Sequence, residues 1–170
     1  MVVDIQERLL PAIFEKELLV QNAVRLIKGA AILGIPILAT EQYRKGLGNT
    51  VPEIASEIAG FSPLEKVTFS AFGAEGFAES LKDRKLTEVL LCGMEAHVCI
   101  LQTCLDLLQD DLRVFVVADA ISARNPENSR LALQRMHDAG AVIASTEMVL
   151  FELLGRARTD EFKQVQALVK

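Results

Sequence analysis

The chain has 170 residues, of which 51% are hydrophobic, so it can bury a sizeable core within one domain. Its net charge of −5 and the absence of any Lys/Arg run argue against a nucleic-acid partner, because phosphate binding requires a basic face. No apolar stretch reaches the roughly 18 residues of a membrane span, and we predict neither such a span nor a secretory signal. The three cysteines form no C-x-x-C pair and indicate a reducing compartment, so we expect a cytoplasmic protein.

Short apolar runs alternate with helix-period patterns along the chain. In order, the predicted elements are a strand at 1–4, a helix at 18–33, a strand at 35–40, a loop at 41–51, a short helix at 52–59, a strand at 64–67, a helix at 75–82, a strand at 88–93, a helix from Cys99, a strand at 113–118, a helix at 126–139, a strand at 141–144, a helix from 145 or 146, and a helix at 160–169. This alternation predicts a parallel sheet with helices on both faces. The run at 88–93 is continuously apolar, which is typical of a strand buried on both faces.

Three chemically useful side chains lie at predicted strand ends. Asp4 closes the first strand, Lys66 lies at the end of the third, and Cys99 follows the fourth. In open parallel sheets, ligands bind outside the carboxyl ends of the strands, at the point where the strand order reverses. With the strand order 3-2-1-4-5-6, strands one and four are neighbours at that point, and we expect these three side chains to share one crevice.

Each of the three side chains has a role in such a crevice. A thiol near the start of a helix is favoured as a thiolate by the helix dipole and the unpaired N–H groups. Asp4 can accept the thiol proton as a general base, and Lys66 can stabilise the negative charges. Taken singly, each residue also has an ordinary interpretation: a turn aspartate, a surface lysine and a small buried hydrophobe.

Cysteine and histidine spacing does not support a zinc site. The candidate ligands would be Cys92, His97, Cys99 and Cys104, whose separations match no C-x₂-C pattern, and Cys104 falls on the apolar stripe of its predicted helix. We therefore predict no metal and no cofactor.

Five residues near the same sheet edge are candidate substrate contacts. These are Gln42, Tyr43, Phe69, Phe72 and His97. Each has a structural alternative. The first two can be solvated loop residues, the phenylalanines can belong to the core, and the histidine can make a hydrogen bond within its turn.

Six sequence motifs in a fixed order resemble the isochorismatase-like cysteine hydrolase family, and in particular its subgroup of isochorismatase-domain-containing proteins. The motifs are VVDIQ at 2–6, ATEQY at 39–43, KVTFSAF at 66–72, GMEAHVCI at 93–100, ADA at 118–120, and AGA at 139–141 followed by STE at 145–147. The resemblance covers nearly the whole chain, which predicts one such domain over 1–170. It implies a three-layer αβα fold with an open six-stranded parallel sheet of order 3-2-1-4-5-6.

The resemblance also implies a site and an activity. It assigns Asp4, Lys66 and Cys99 as a catalytic triad, places a cis peptide between Met94 and Glu95, and forms an oxyanion hole from the backbone N–H groups of Glu95 and Cys99. The retained nucleophile favours cleavage of a C–N bond in a small amide or ureido substrate. A homo-oligomer is also expected.

Two departures from the family pattern narrow the prediction. Many relatives have Thr where this chain has Glu95, and the segment 40–44 contains no His, which weakens a metal-dependent nicotinamidase interpretation. Two alternatives stay open: a binding or scaffold protein that has lost its chemistry, and vinyl ether hydrolysis of the isochorismatase type, which needs no nucleophilic Cys.

Overall fold

The computed structural model describes residues 1–170, and its strands and helices alternate along the chain. The strands are β1 Val2–Val3, β2 Ala39–Gln42, β3 Leu64–Lys66, β4 Glu88–Met94, β5 Arg113–Ser122 and β6 Val142–Ala144. The helices are α1 Lys16–Ile32, α2 Arg44–Leu47, α3 Pro52–Ala55, α4 Phe77–Asp83, α5 Leu101–Gln109, α6 Pro126–Asp138, α7 Thr146–Leu154 and α8 Asp160–Val169. A π-helical turn, Ala96–Ile100, leads directly into α5. None of the eight helices combines the length and apolar character needed to cross a membrane.

All six strands form one parallel sheet of order β3-β2-β1-β4-β5-β6, which confirms the predicted topology. Strand β1 lies at the centre: Val2 pairs with Ala39 of β2 on one side and with Cys92 of β4 on the other. The strand order reverses at β1, so the crevice beyond its carboxyl end is bounded by the ends of β2 and β4.

The sheet separates two hydrophobic clusters, one on each face. The first packs α4, α5 and α6 against the sheet, and the second packs α1, α3, α7 and α8 against the opposite face. Successive residues of β4 alternate between the two clusters: Leu91 belongs to the first, and Cys92 to the second. This alternation confirms burial on both faces from Val89 to Gly93, whereas Glu88 at the start of the predicted run is exposed. The fold is the expected three-layer αβα arrangement.

Several predicted strand boundaries are wrong, because the ends of a strand depend on which neighbouring strands it pairs with. Strand β2 was expected at 35–40 but spans Ala39–Gln42, since β1 pairs with it only from Ala39 and β3 pairs with it as far as Gln42. The expected loop at 41–51 therefore begins inside a strand and also contains α2. Strand β5 runs four residues beyond the predicted end at 118, because it continues beside β4 after a register shift between Leu91 and Gly93.

Candidate active site

Asp4 and Lys66 form a buried ion pair at the carboxyl edge of the sheet. Asp4 directly follows β1 in a left-handed conformation (φ 55°), which Asp tolerates better than most residues. Its Oδ2 atom lies 2.7 Å from the Nζ atom of Lys66, at the end of β3, and neither side chain is exposed to solvent. Its Oδ1 atom accepts a hydrogen bond of 2.7 Å from the hydroxyl of Thr40 on β2. Strands β1, β2 and β3 together therefore fix the carboxylate.

The Lys66 ammonium is enclosed by hydrogen-bond acceptors. Besides Asp4, its Nζ atom donates to Oε1 of Gln42 at 2.7 Å, to the carbonyl oxygen of Phe69 at 3.0 Å and to that of Thr68 at 3.3 Å. An ammonium has three N–H groups and no acceptor. All four partners of the Lys66 side chain are oxygen acceptors, which matches the donor-only character of an ammonium.

Cys99 is buried in the π-helical turn, close enough to Asp4 and Lys66 for both charges to shift the pKa of its thiol. Burial raises the pKa of the Cys99 thiol to about 12; the Asp4 carboxylate adds to the rise, and the Lys66 ammonium opposes it. Burial therefore favours the neutral thiol, against the thiolate that a position near a helix start by itself favours.

The turn between β4 and Cys99 exposes a backbone donor. The Met94–Glu95 peptide bond is cis, as the family resemblance implies. The Glu95 N–H donates to no other group of the protein, whereas the Glu95 carbonyl accepts from Val98 and Ile100. A free backbone N–H is the kind of donor that an oxyanion hole requires.

The Glu95 side chain anchors a neighbouring loop. Its Oε2 atom accepts hydrogen bonds from the backbone N–H and from Nε of Arg124, at 3.1 and 3.0 Å. The Glu95 carboxylate thus ties the turn that contains Cys99 to the segment between β5 and α6. Only 8% of the Glu95 side chain is exposed, against 62% for Arg124, so the pair lies at the boundary between the site and solvent.

Gly93 permits the close approach of β1 and β4 below the site. Its φ of 124° lies in the region that favours glycine, and a Cβ atom there would lie 2.1 Å from the carbonyl oxygen of Val3. The residue after Val3 is Asp4, so this close approach lies one residue from the buried Asp4–Lys66 pair.

The candidate substrate contacts occupy different environments. Tyr43 and Phe69 are about half exposed, with 51% and 52% of their surface accessible. Phe72 is half-buried and packs edge-to-face on Phe77 with 5.2 Å between ring centroids. His97 is half-buried, and its Nε2 atom lies 3.4 Å from Nδ2 of Asn128. Gln42 directs its amide at Lys66 and at the Val67 carbonyl oxygen.

Two polar residues at this edge were not singled out from the sequence. Thr40 orients Asp4, and Gln6 hydrogen-bonds both the N–H and the carbonyl of Gln42. Both are buried and both occur within the VVDIQ and ATEQY motifs. The sequence feature that could have identified them is a polar side chain near the end of a predicted strand, the same feature that identified Asp4.

A cavity lies at a distance from the candidate site. Its volume is about 480 Å³, and it opens at the opposite, amino-terminal edge of the sheet between largely hydrophobic side chains such as Leu26, Ile37 and Leu90. It touches none of the residues around Cys99 and is not the candidate active site.

All three cysteines are free, and no three His, Cys, Asp or Glu side chains cluster in a way that would hold a metal ion.

Comparisons with known proteins identify the family of the chain. The Isochorismatase domain family model matches residues 1–148. The chain is 42% identical over 167 residues to isochorismatase domain-containing protein 2 of Danio rerio, covering 98% of this chain and 83% of that protein. The MAR1 ribonuclease structure from Caenorhabditis elegans has a TM-score of 0.93 and 40% identity, over 99% of this chain and 86% of that one. The YcaC protein of Escherichia coli, described as an octameric hydrolase of unknown specificity, has a TM-score of 0.91 and 25% identity, over 98% and 83% of the two chains. The chain therefore belongs to the isochorismatase family.

Proposed function

We propose that the protein is a cysteine hydrolase that cleaves a C–N bond of a small amide or ureido substrate. Cys99 is the nucleophile, Asp4 the general base and Lys66 the charge stabiliser. The backbone N–H groups of Glu95 and Cys99 form the oxyanion hole. The single observation that carries the proposal is the fully buried contact of 2.7 Å between Asp4 and Lys66 beside the Cys99 thiol.

In the first half of the reaction, the sulfur of Cys99 attacks the substrate carbonyl carbon while Asp4 takes the thiol proton. The carbonyl oxygen becomes an oxyanion that accepts hydrogen bonds from the two backbone N–H groups. Asp4 then donates its proton to the nitrogen as the C–N bond breaks, and an amine leaves. A thioester between Cys99 and the acyl group is left.

In the second half, Asp4 takes a proton from a water molecule that attacks the thioester. The C–S bond breaks, the acid product leaves, and the proton returns to Cys99. Lys66 stays charged throughout and offsets the negative charge on the carboxylate or on the sulfur. A neutral resting thiol fits this sequence of steps, because it requires a base beside it, and Asp4 is the carboxylate within reach.

The proposal is tested by turnover of a panel of small amides and ureido compounds. We expect Cys99→Ala to abolish hydrolysis while the circular dichroism spectrum and the melting temperature stay close to those of the wild type. Cys104→Ala is the matched control, because Cys104 is also a buried thiol but lies on α5 among hydrophobic residues. Full activity of Cys99→Ala would refute the nucleophile assignment.

The same panel separates the alternatives. Hydrolysis of a vinyl ether that survives Cys99→Ala would indicate isochorismatase-type chemistry, and binding without turnover would indicate a scaffold protein. RNA belongs in the panel because three structural neighbours carry a ribonuclease description. We expect no cleavage of RNA, since the net charge of −5 disfavours polyanion binding.

We further propose that the protein assembles as a homo-oligomer in the cytoplasm. The octameric description of the E. coli neighbour supports assembly. The free state of all three cysteines supports a reducing compartment. Light scattering coupled to size-exclusion chromatography measures the first point: a mass equal to the 18.6 kDa of one chain would contradict it.

A further inference from the structure

We propose that Gln42 is a positioning residue that acts on Cys99 through Lys66, rather than a contact for the substrate. The inference rests on the proposed role of Lys66 as the charge stabiliser of the nucleophile. It assigns to the Gln42 amide the task of holding the ammonium at one place between Asp4 and the thiol.

The amide of Gln42 is engaged at both ends within the protein. Its Oε1 atom accepts from Nζ of Lys66 at 2.7 Å, as short as the bond that the same nitrogen makes to Asp4. Its Nε2 atom donates to the carbonyl oxygen of Val67 at 2.9 Å. Because one end meets a donor-only ammonium and the other an acceptor-only carbonyl, only one orientation of the amide satisfies both.

The backbone of Gln42 is fixed in turn by Gln6, whose side chain is fully buried. Oε1 of Gln6 accepts from the Gln42 N–H at 2.8 Å, and Nε2 of Gln6 donates to the Gln42 carbonyl at 3.0 Å and to that of Gly48 at 2.7 Å. Gln6 lies two residues beyond Asp4. The segment that carries the general base therefore also fixes the residue that holds the ammonium.

Lys66 needs such a support because its charge lies at the end of a flexible four-carbon chain. Of its four acceptors, Asp4 and Gln42 are the two closest, and the carbonyl oxygens of Thr68 and Phe69 are longer. Asp4 and Lys66 are the charged groups that face the Cys99 thiol. Without the Gln42 acceptor, the ammonium shifts toward the remaining oxygens and stabilises the Cys99 thiolate less.

The direction in which loss of the Gln42 amide shifts the pKa of the Cys99 thiol separates a positioning role from a purely structural one. A weaker influence of Lys66 raises the pKa of the Cys99 thiol, because the ammonium lowers it in the wild type. General loosening of the site would lower that pKa, because burial is the largest cause of its rise. A residue that only contacts the substrate would leave the pKa of the free protein unchanged.

The test follows alkylation of Cys99 by iodoacetamide between about pH 7 and pH 9, with the modified cysteine identified by mass spectrometry. Gln42→Met keeps the length of the side chain but removes its amide. Gln42→Asn keeps an amide, but the shorter side chain does not reach the Nζ atom of Lys66. A rise of about one pKa unit slows alkylation about threefold at each pH, since the more basic thiolate is also more nucleophilic. Gln102→Met, at an exposed position on α5, is the matched control and should alkylate like the wild type.

Combining Gln42→Met with Lys66→Met shows whether the effect of Gln42 on alkylation of Cys99 depends on the Lys66 ammonium. We expect Gln42→Met to slow alkylation in the wild type but to have no further effect in Lys66→Met. Unchanged or faster alkylation in both Gln42 variants overturns the proposal, and so does an equal slowing in the Lys66→Met background. The reaction requires no substrate, so the result stands apart from the search for a hydrolysed amide.

Discussion

Removal of one partner of the Asp4–Lys66 pair should destabilise the protein strongly. Asp4→Asn keeps the shape of the side chain and an oxygen for the Thr40 hydroxyl, but it removes the negative charge 2.7 Å from Nζ of Lys66. The ammonium would then be buried, with 0% of its side chain exposed, and without a counter-charge. Removing one partner of a buried ion pair typically costs about 3–5 kcal/mol.

The local structure places the expected cost at the lower end of this range. Three oxygens remain for the three N–H groups of Lys66, from Gln42, Thr68 and Phe69. We therefore expect Asp4→Asn to lower the free energy of unfolding by about 3 kcal/mol. For a chain of this length, that loss corresponds to a drop in melting temperature of about 6–12 °C.

Urea unfolding followed by circular dichroism measures this cost. The double variant Asp4→Asn with Lys66→Met removes both charges, and we expect it to be more stable than the sum of the two single losses predicts. Glu88→Gln is the control: it breaks the ion pair with Arg113, in which both side chains are more than half exposed, and should cost at most about 1 kcal/mol. If Asp4→Asn cost no more than Glu88→Gln, the assignment of a strongly coupled buried pair would be refuted.

Three further outcomes are expected. Gly93→Ala places a Cβ atom 2.1 Å from the Val3 carbonyl oxygen at a φ of 124°, so it should prevent soluble expression or cost more than about 4 kcal/mol in urea unfolding; a well-folded variant would contradict the close approach of β1 and β4. Asp119→Ala removes the acceptor of both the N–H and the hydroxyl of Thr146 and should cost about 1–3 kcal/mol without a change in Cys99 alkylation. Burial raises the pKa of Cys104 from 9.0 to about 12, so above about pH 9 the unfolded chain loses this proton first and stability falls with rising pH. Cys104→Val should reduce that slope between about pH 9 and pH 10, and an identical slope in the variant would count against the raised pKa.

The pattern of strands and helices could be predicted because it depends on neighbours in the sequence. Asn125 caps α6 by accepting from the Glu127 N–H, and Pro126 opens the helix, as their residue types indicate. The boundaries of β2 could not be predicted in the same way, because they depend on pairing with β1 and β3, whose residues lie more than 20 positions away. Asp4, Lys66 and Cys99 were identified because each lies at the end of a recognisable strand or shortly after it.

Local patterning of the amino-acid sequence by itself determined the fold class, the edge of the sheet that carries the site, and the three residue types that meet there. Only the tertiary structure decided how those residues are held. The acceptors around the Lys66 ammonium come from β1, β2 and the segment after β3, and Asp4 lies 62 positions away from it along the chain. The raised pKa of Cys99 also arises from packing, because the solvent removed from a thiol depends on every element that covers it and not on the residues beside it in sequence.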